Sequence, residues 1–311
     1  MKLETTVNLE RISTTVGGII LLKYAIEILV YKANIAIHII SKYLSTTISY
    51  LISYSFLFIF IYFIFKIRAR EAFYQHEKKL TGIKASLSLS LLLISISTFF
   101  SISFNYFSGI GNILSTVSAN RVEEINSFRM DTLLAGCMAA MFEEMLYRGI
   151  ILQRLKNHGN VFAIIVSAVL FGFMHGIRFI DTFVVGIMLG SVYVITGNLI
   201  YPIFMHFYVN VILAIIGYIT LFLFPAMSNI QFIFIRLGIL IIIILTTYVI
   251  CKSLNVFDRL HIRSKFIYIK FLIKNEKSKY KTFFYSPTIV ILIIREIWII
   301  FNGIGVLLVN I

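Results

Sequence analysis

Long apolar runs separated by short polar stretches dominate the chain. A helix needs about 20 mostly apolar residues to cross a bilayer. Runs near that length, with ends free to shift by a few residues, fall at 16–40, 47–67, 84–107, 131–152, 160–176, 179–197, 199–224, 230–251 and 286–309. The first is interrupted by Lys23, Glu27 and Lys32, and Lys23 and Glu27 are spaced to pair on one helix face. The last carries Arg295 and Glu296 at mid-run, a pattern that also suits a helix lying along the membrane interface. The pattern predicts an all-α, polytopic transmembrane bundle of about eight spans. It is expected to form a single membrane domain over 1–311.

Composition narrows the class further. Of 311 residues, 59% are hydrophobic and 14% charged, against about 25% charged in an ordinary soluble domain. The net charge of +14 would suit nucleic acid, but its placement does not. Lys66, Arg68, Arg70, Lys78, Lys79 and Lys84 crowd the stretch 66–84, and a second basic run extends over 252–285 with only Asp258 and Glu276 against it. Basic loops between apolar segments mark a cytoplasmic surface facing anionic lipid. Both stretches are therefore expected inside, the charge-balanced loop 108–130 outside and the N-terminus cytoplasmic. The aromatic residues of 252–285 allow an amphipathic helix on the inner leaflet or a solvated connector. The bilayer is an expected partner and nucleic acid is not. No signal peptide precedes the first run. Cys137 and Cys251 lie within apolar runs, without disulfide or metal-ligand spacing, and read as buried thiols.

Ionisable groups inside apolar segments are costly and are functional candidates by default. Segment 131–152 contains Glu143, Glu144 and Arg148. Glu144 and Arg148 share a helix face and can pair, while Glu143 points about 100° away and needs another partner. Segment 160–176 places Phe171 and His175 four apart, and segment 199–224 does the same with His206 and Asn210. A carboxylate, two imidazoles and an amide from three segments can do acid–base chemistry on water. A transport or ion pathway would use similar residues.

The blocks FEEMLYRG, FGFMHG and VVGIMLGSVYVITGNLIYPIFMHFYVN, in this order on consecutive apolar segments, resemble the three motifs of the CPBP family. That family includes the CAAX prenyl endopeptidases, the bacterial Abi proteins and some bacteriocin self-immunity proteins. Its pattern is Glu-Glu-x-x-x-Arg, Phe-x-x-x-His and His-x-x-x-Asn, and the resemblance covers about 131–215. It implies a bundle of about eight helices around an intramembrane catalytic cavity. It also implies hydrolysis of a peptide bond in a membrane-associated protein or peptide. By that resemblance Glu143 and His175 activate water, and His206 and Asn210 form the oxyanion hole. Glu144, Arg148 and Phe171 support the site.

Glu143, His175 and His206 could supply three ligands to Zn²⁺, but a carboxylate-activated water explains the same residues and needs no cofactor, which is the favoured reading. An HExxH pair is absent, because Leu80 stands where the second histidine after His76 would be. No Gly-x-Ser-x-Gly elbow is present. Gly186 and Gly190 are spaced for close helix packing, and Gly197 with Pro202 marks a tight turn between spans. Simple alternation of spans puts His175 near the outer end of its segment and Glu143 and His206 nearer mid-depth. A short, tilted or shifted helix would bring them level. The rival to an endopeptidase is a non-catalytic scaffold or immunity protein with the same fold. A bacterial-type plasma membrane is the expected location, and neither the substrate nor the oligomeric state is legible.

Overall fold

The computed structural model describes residues 2–38, 45–65, 130–223, 229–253 and 276–309. Among them every regular element is helical. The helices are α1 (Lys2–His38), α2 (Ser45–Phe65), α3 (Met130–Glu144), α4 (Asn160–Phe173), α5 (Phe179–Thr196), α6 (Ile200–Leu223), α7 (Asn229–Ser253), α8 (Lys277–Phe284) and α9 (Pro287–Val309). α3 runs on without a break into a π-helix, Met145–Leu152, and ends in short turns through His158. The expected span 84–107 and loop 66–84 lie outside the described residues, as does most of the basic stretch 252–285.

The elements coincide with the apolar runs because a helix satisfies its own backbone polar groups where water is absent. Two described segments are long and apolar enough to cross a membrane, Asn8–Val30 and Phe179–Thr196. A third crossing arises if Lys277–Phe284 and Pro287–Ile299, joined at a 78° bend, count as one. α4 and the described apolar part of α2 fall short of that length. Large apolar side chains also point outward, among them Phe56, Phe60 and Phe63 on α2 and Trp298 and Phe301 on α9. An outward apolar surface of this extent suits lipid rather than water.

The core gathers where α3 and the π-helix are enclosed. α2 and α6 pack on α3, α4 packs on the π-helix, and α5 closes against both α4 and α6. Leu146, Ile150, Ile151 and Leu152 of the π-helix are buried with Phe162, Val166 and Leu170 of α4. Gly186 makes the α4–α5 contact close. A Cβ built there would lie 3.0 Å from the Ala168 Cα, so a larger residue would push the two helices apart. The terminal helices meet on the far side, where α1 packs on α2, α8 and α9.

Inside that terminal seam lies a charged cluster. Glu296 of α9 is buried and accepts hydrogen bonds from Tyr24 of α1 and from Arg295. The Arg295 guanidinium also covers the Tyr24 ring, 3.2 Å from its centroid. Lys23 pairs with Glu27 and lies 5.6 Å from the Tyr54 ring centroid. The charges at the middle of α9 thus face α1.

Candidate active site

Residues on four elements converge at the junction of α3 and the π-helix. Glu143 and Glu144 end the α-helical part, and the wider π-turn begins at Met145. Such turns insert an extra residue into the helical ladder and occur often at functional sites. Glu144 faces inward and its side chain is fully buried, whereas that of Glu143 is 12% exposed.

Glu144 serves as a shared acceptor. Its Oε1 takes a hydrogen bond from Arg148 Nη1 at 2.8 Å and another from His206 Nδ1 at 2.9 Å. A carboxylate accepts without donating, so Nδ1 of His206 carries the proton when Glu144 is ionised. Arg148 also donates from Nη2 to the Gly186 carbonyl at 3.2 Å, a reach that the close α4–α5 approach permits. Buried charges of this kind persist when paired and hydrogen-bonded.

Phe171 is the packing centre. Its ring lies 4.5 Å from the Arg148 guanidinium carbon, 4.7 Å from the His175 ring and 5.7 Å from the His206 ring, centroid to centroid for the rings. The Tyr147 ring meets it edge-on at 5.3 Å. One aromatic residue thus fixes both histidines and the arginine.

His175 follows the end of α4. At 14 residues, α4 is about 21 Å long at 1.5 Å per residue, well short of the roughly 30 Å hydrocarbon thickness. The short helix brings the His175 ring level with Glu143. Nδ1 of His175 lies 2.8 Å from the Phe171 carbonyl oxygen, which can only accept, so Nδ1 bears a proton. Nε2 then faces Glu143 Oε2 at 4.0 Å. Gly176, directly after His175, has a φ of +56°, the left-handed region in which glycine is least strained. Ile299 of α9 lies 3.9 Å from where its Cβ would be.

Asn210 is placed differently from His206. Its Nδ2 donates to the Gly136 carbonyl at 3.2 Å, about two turns before Glu143 on α3. The structure therefore brings together Glu144, Arg148, His206 and Phe171 in one contact set and Glu143 with His175 in another. It sets Asn210 beside α3 without a hydrogen bond to either. Among the described residues, no three His, Cys, Asp or Glu side chains gather as a metal site would require.

Sequence reasoning passed over three tyrosines within electrostatic reach of Glu143. Its carboxylate acts electrostatically on the hydroxyls of Tyr50 and Tyr54 of α2 and on that of Tyr147. Tyr54 is buried and stacks on Phe142 at 5.1 Å. The signal was available, since Tyr50 and Tyr54 are four apart in an apolar run and Tyr54 lies well inside it. Tyr147 Oη, Arg148 Nε and Glu144 Oε2 are buried without a hydrogen-bond partner among the described residues.

Residues 126–212 match the family model Type II CAAX prenyl endopeptidase Rce1-like. This segment is similar to an Rce1-like domain. The matched Rce1-like segment runs from just before α3 to the middle of α6 and holds Glu143, Glu144, Arg148, Phe171, His175, His206 and Asn210. α1, α2, α8 and α9 lie outside it and supply the Tyr50 and Tyr54 side of the site and the support behind Gly176. No curated protein and no solved structure gives a significant match to the chain.

Proposed function

We propose that the chain is an intramembrane endopeptidase that hydrolyses a peptide bond of a membrane-associated protein or peptide. The observation that carries this reading is the facing of Glu143 Oε2 and His175 Nε2 at 4.0 Å. Two acceptors at that separation do not bond to each other, but both can accept from one water. A water donating both protons keeps a lone pair free to attack a carbonyl carbon.

In this reading Glu143 takes the proton as general base and later passes it to the leaving amine as the C–N bond breaks. His175, its tautomer held by the Phe171 carbonyl, orients the water. His206 donates to the oxyanion through Nε2 in its imidazolium form, with Glu144 as counter-ion. Asn210 contributes the second proton of Nδ2, the first being committed to Gly136. Glu144 and Arg148 hold the arrangement in place. With no three-donor cluster among the described residues, no step is assigned to a metal. The bundle in this reading has about eight spans, lies in a plasma membrane with its N-terminus cytoplasmic, and opens its cavity between α2, α3 and the end of α4.

The test is cleavage of a quenched peptide library by purified protein in detergent. Wild type, Glu143→Ala and His175→Ala are compared, with a chelator arm beside them. Cleavage that is lost in both folded variants supports the peptidase. Cleavage retained in both overturns it. Chelator sensitivity would overturn the metal-free water. A wild type that cleaves nothing, with a protective phenotype surviving Glu143→Ala, would turn the reading to a non-catalytic scaffold or immunity protein.

A further inference from the structure

α8 turns across the end of the bundle. Its axis bends 78° into the apolar part of α9, and one of its faces is pinned from within. Phe283 is fully buried, and both Tyr280 and Phe283 meet Phe162 of α4 edge-on. Lys279 donates to the His158 carbonyl at 2.7 Å and pairs with Glu276 at 2.8 Å.

The outward side of α8 is basic. Lys277 and Lys281 are both exposed and are spaced to share a face. Neither has a carboxylate partner among the described residues, because Lys279 engages the neighbouring Glu276. Lys281 lies 5.7 Å from the ring centroid of Tyr285, which is itself exposed at the elbow. Beyond the elbow the character reverses. Ile291, Ile294, Trp298 and Phe301 are all exposed, and their spacing puts them in one line along α9.

Positive charge at one end of an apolar line, with an aromatic residue at the boundary, has the profile of a phospholipid with an anionic headgroup. Free phosphate would account for the lysines but not for the apolar line. We propose that the α8–α9 elbow binds an anionic phospholipid. Lys277 and Lys281 hold its headgroup, and an acyl chain lies along Ile291, Ile294, Trp298 and Phe301. This site is separate from Glu143 and His175 and does not depend on the peptidase reading.

Trp298 is the only tryptophan in the chain, so the protein carries its own reporter on the apolar line. The full chain is reconstituted in vesicles that mix phosphatidylcholine with phosphatidylglycerol, with brominated acyl chains on one lipid at a time. Quenching of Trp298 then gives the relative occupancy of the two lipids. A near-surface lysine contributes about fivefold to binding of an anionic membrane. Wild type is expected to prefer phosphatidylglycerol by fivefold or more, with the preference falling as salt rises. K277Q/K281Q is expected to bring the two lipids close to parity with unchanged emission in unbrominated vesicles. Equal quenching in wild type, or a preference that persists in K277Q/K281Q, would overturn the site. Loss of the preference on adding millimolar inorganic phosphate at constant ionic strength would overturn the lipid assignment.

Discussion

His206 of α6 donates a hydrogen bond to Glu144 of α3 at 2.9 Å, although 62 residues separate them in the chain. Glu144 Oε1 also holds Arg148, so one carboxylate oxygen ties the π-helix, α3 and α6 together. The neighbouring Glu143 is left out of that hydrogen-bond network and faces His175. On the proposed reading, the direction in which the helix points two adjacent glutamates divides them between structure and chemistry.

The buried pair makes a stability prediction. Arg148→Met leaves the buried Glu144 carboxylate with His206 as its remaining partner, and Glu144→Gln leaves the guanidinium without a counter-charge. Breaking a buried pair from one side costs about 3–5 kcal/mol. Each single variant is expected to melt well below wild type in detergent, and the double variant to melt above either single one. Additive losses in the double variant would show that the pair is not coupled.

Phe171 is expected to be the most sensitive apolar position. Phe171→Ala removes the ring shared by Arg148, His175 and His206 and should cost about 3–5 kcal/mol, measured by thermal melting. Phe171→Leu should retain much of the stability yet lower peptide cleavage, because an aliphatic side chain fills the space without the aromatic face that the guanidinium and the imidazoles lie against.

The α4–α5 contact can be tested at Gly186. Gly186→Leu forces side-chain volume against the Ala168 backbone and displaces the carbonyl that Arg148 reaches. Overpacking of this type costs about 1–3 kcal/mol. A melting temperature equal to that of wild type would show that the helices part freely.

The terminal seam should stabilise the fold from outside the matched Rce1-like segment. Tyr24→Phe and Glu296→Ala each remove a hydrogen bond to a charged group, worth about 1.5–3 kcal/mol. Glu296→Ala is expected to cost more, since it also leaves Arg295 without its carboxylate. Chemical or thermal unfolding of the two variants beside wild type gives the order directly.

Much of this was legible beforehand because the bilayer imposes strong rules. Apolar runs located the described helices apart from α8, which lies in the basic stretch 252–285, and the three motifs located the segment that matches the Rce1-like family model. The rest depended on tertiary context. Nothing in MLYRGIIL marks a π-helix, because its residues suit an α-helix equally well, and the wider turn is visible only in the backbone. The resemblance implies an oxyanion hole of His206 and Asn210 but not their partners within the protein, which are Glu144 for His206 and Gly136, at a different level of α3, for Asn210. Arg295 and Glu296 read as an interruption of α9 until Tyr24, from the other end of the chain, supplied a buried partner. His175 and Glu143 come within 4.0 Å of each other, a proximity between two segments that apolar patterning alone does not locate.

The division between the two glutamates is tested most directly by assaying Glu143→Gln and Glu144→Gln side by side, with peptide cleavage and melting temperature measured on the same preparations. Glu143→Gln is expected to melt like wild type while cleavage falls by about 10²–10⁴-fold, the usual contribution of a general base. Glu144→Gln is expected to lose stability first. Wild-type cleavage by a folded Glu143→Gln variant would contradict the assignment of Glu143 as the residue that activates water.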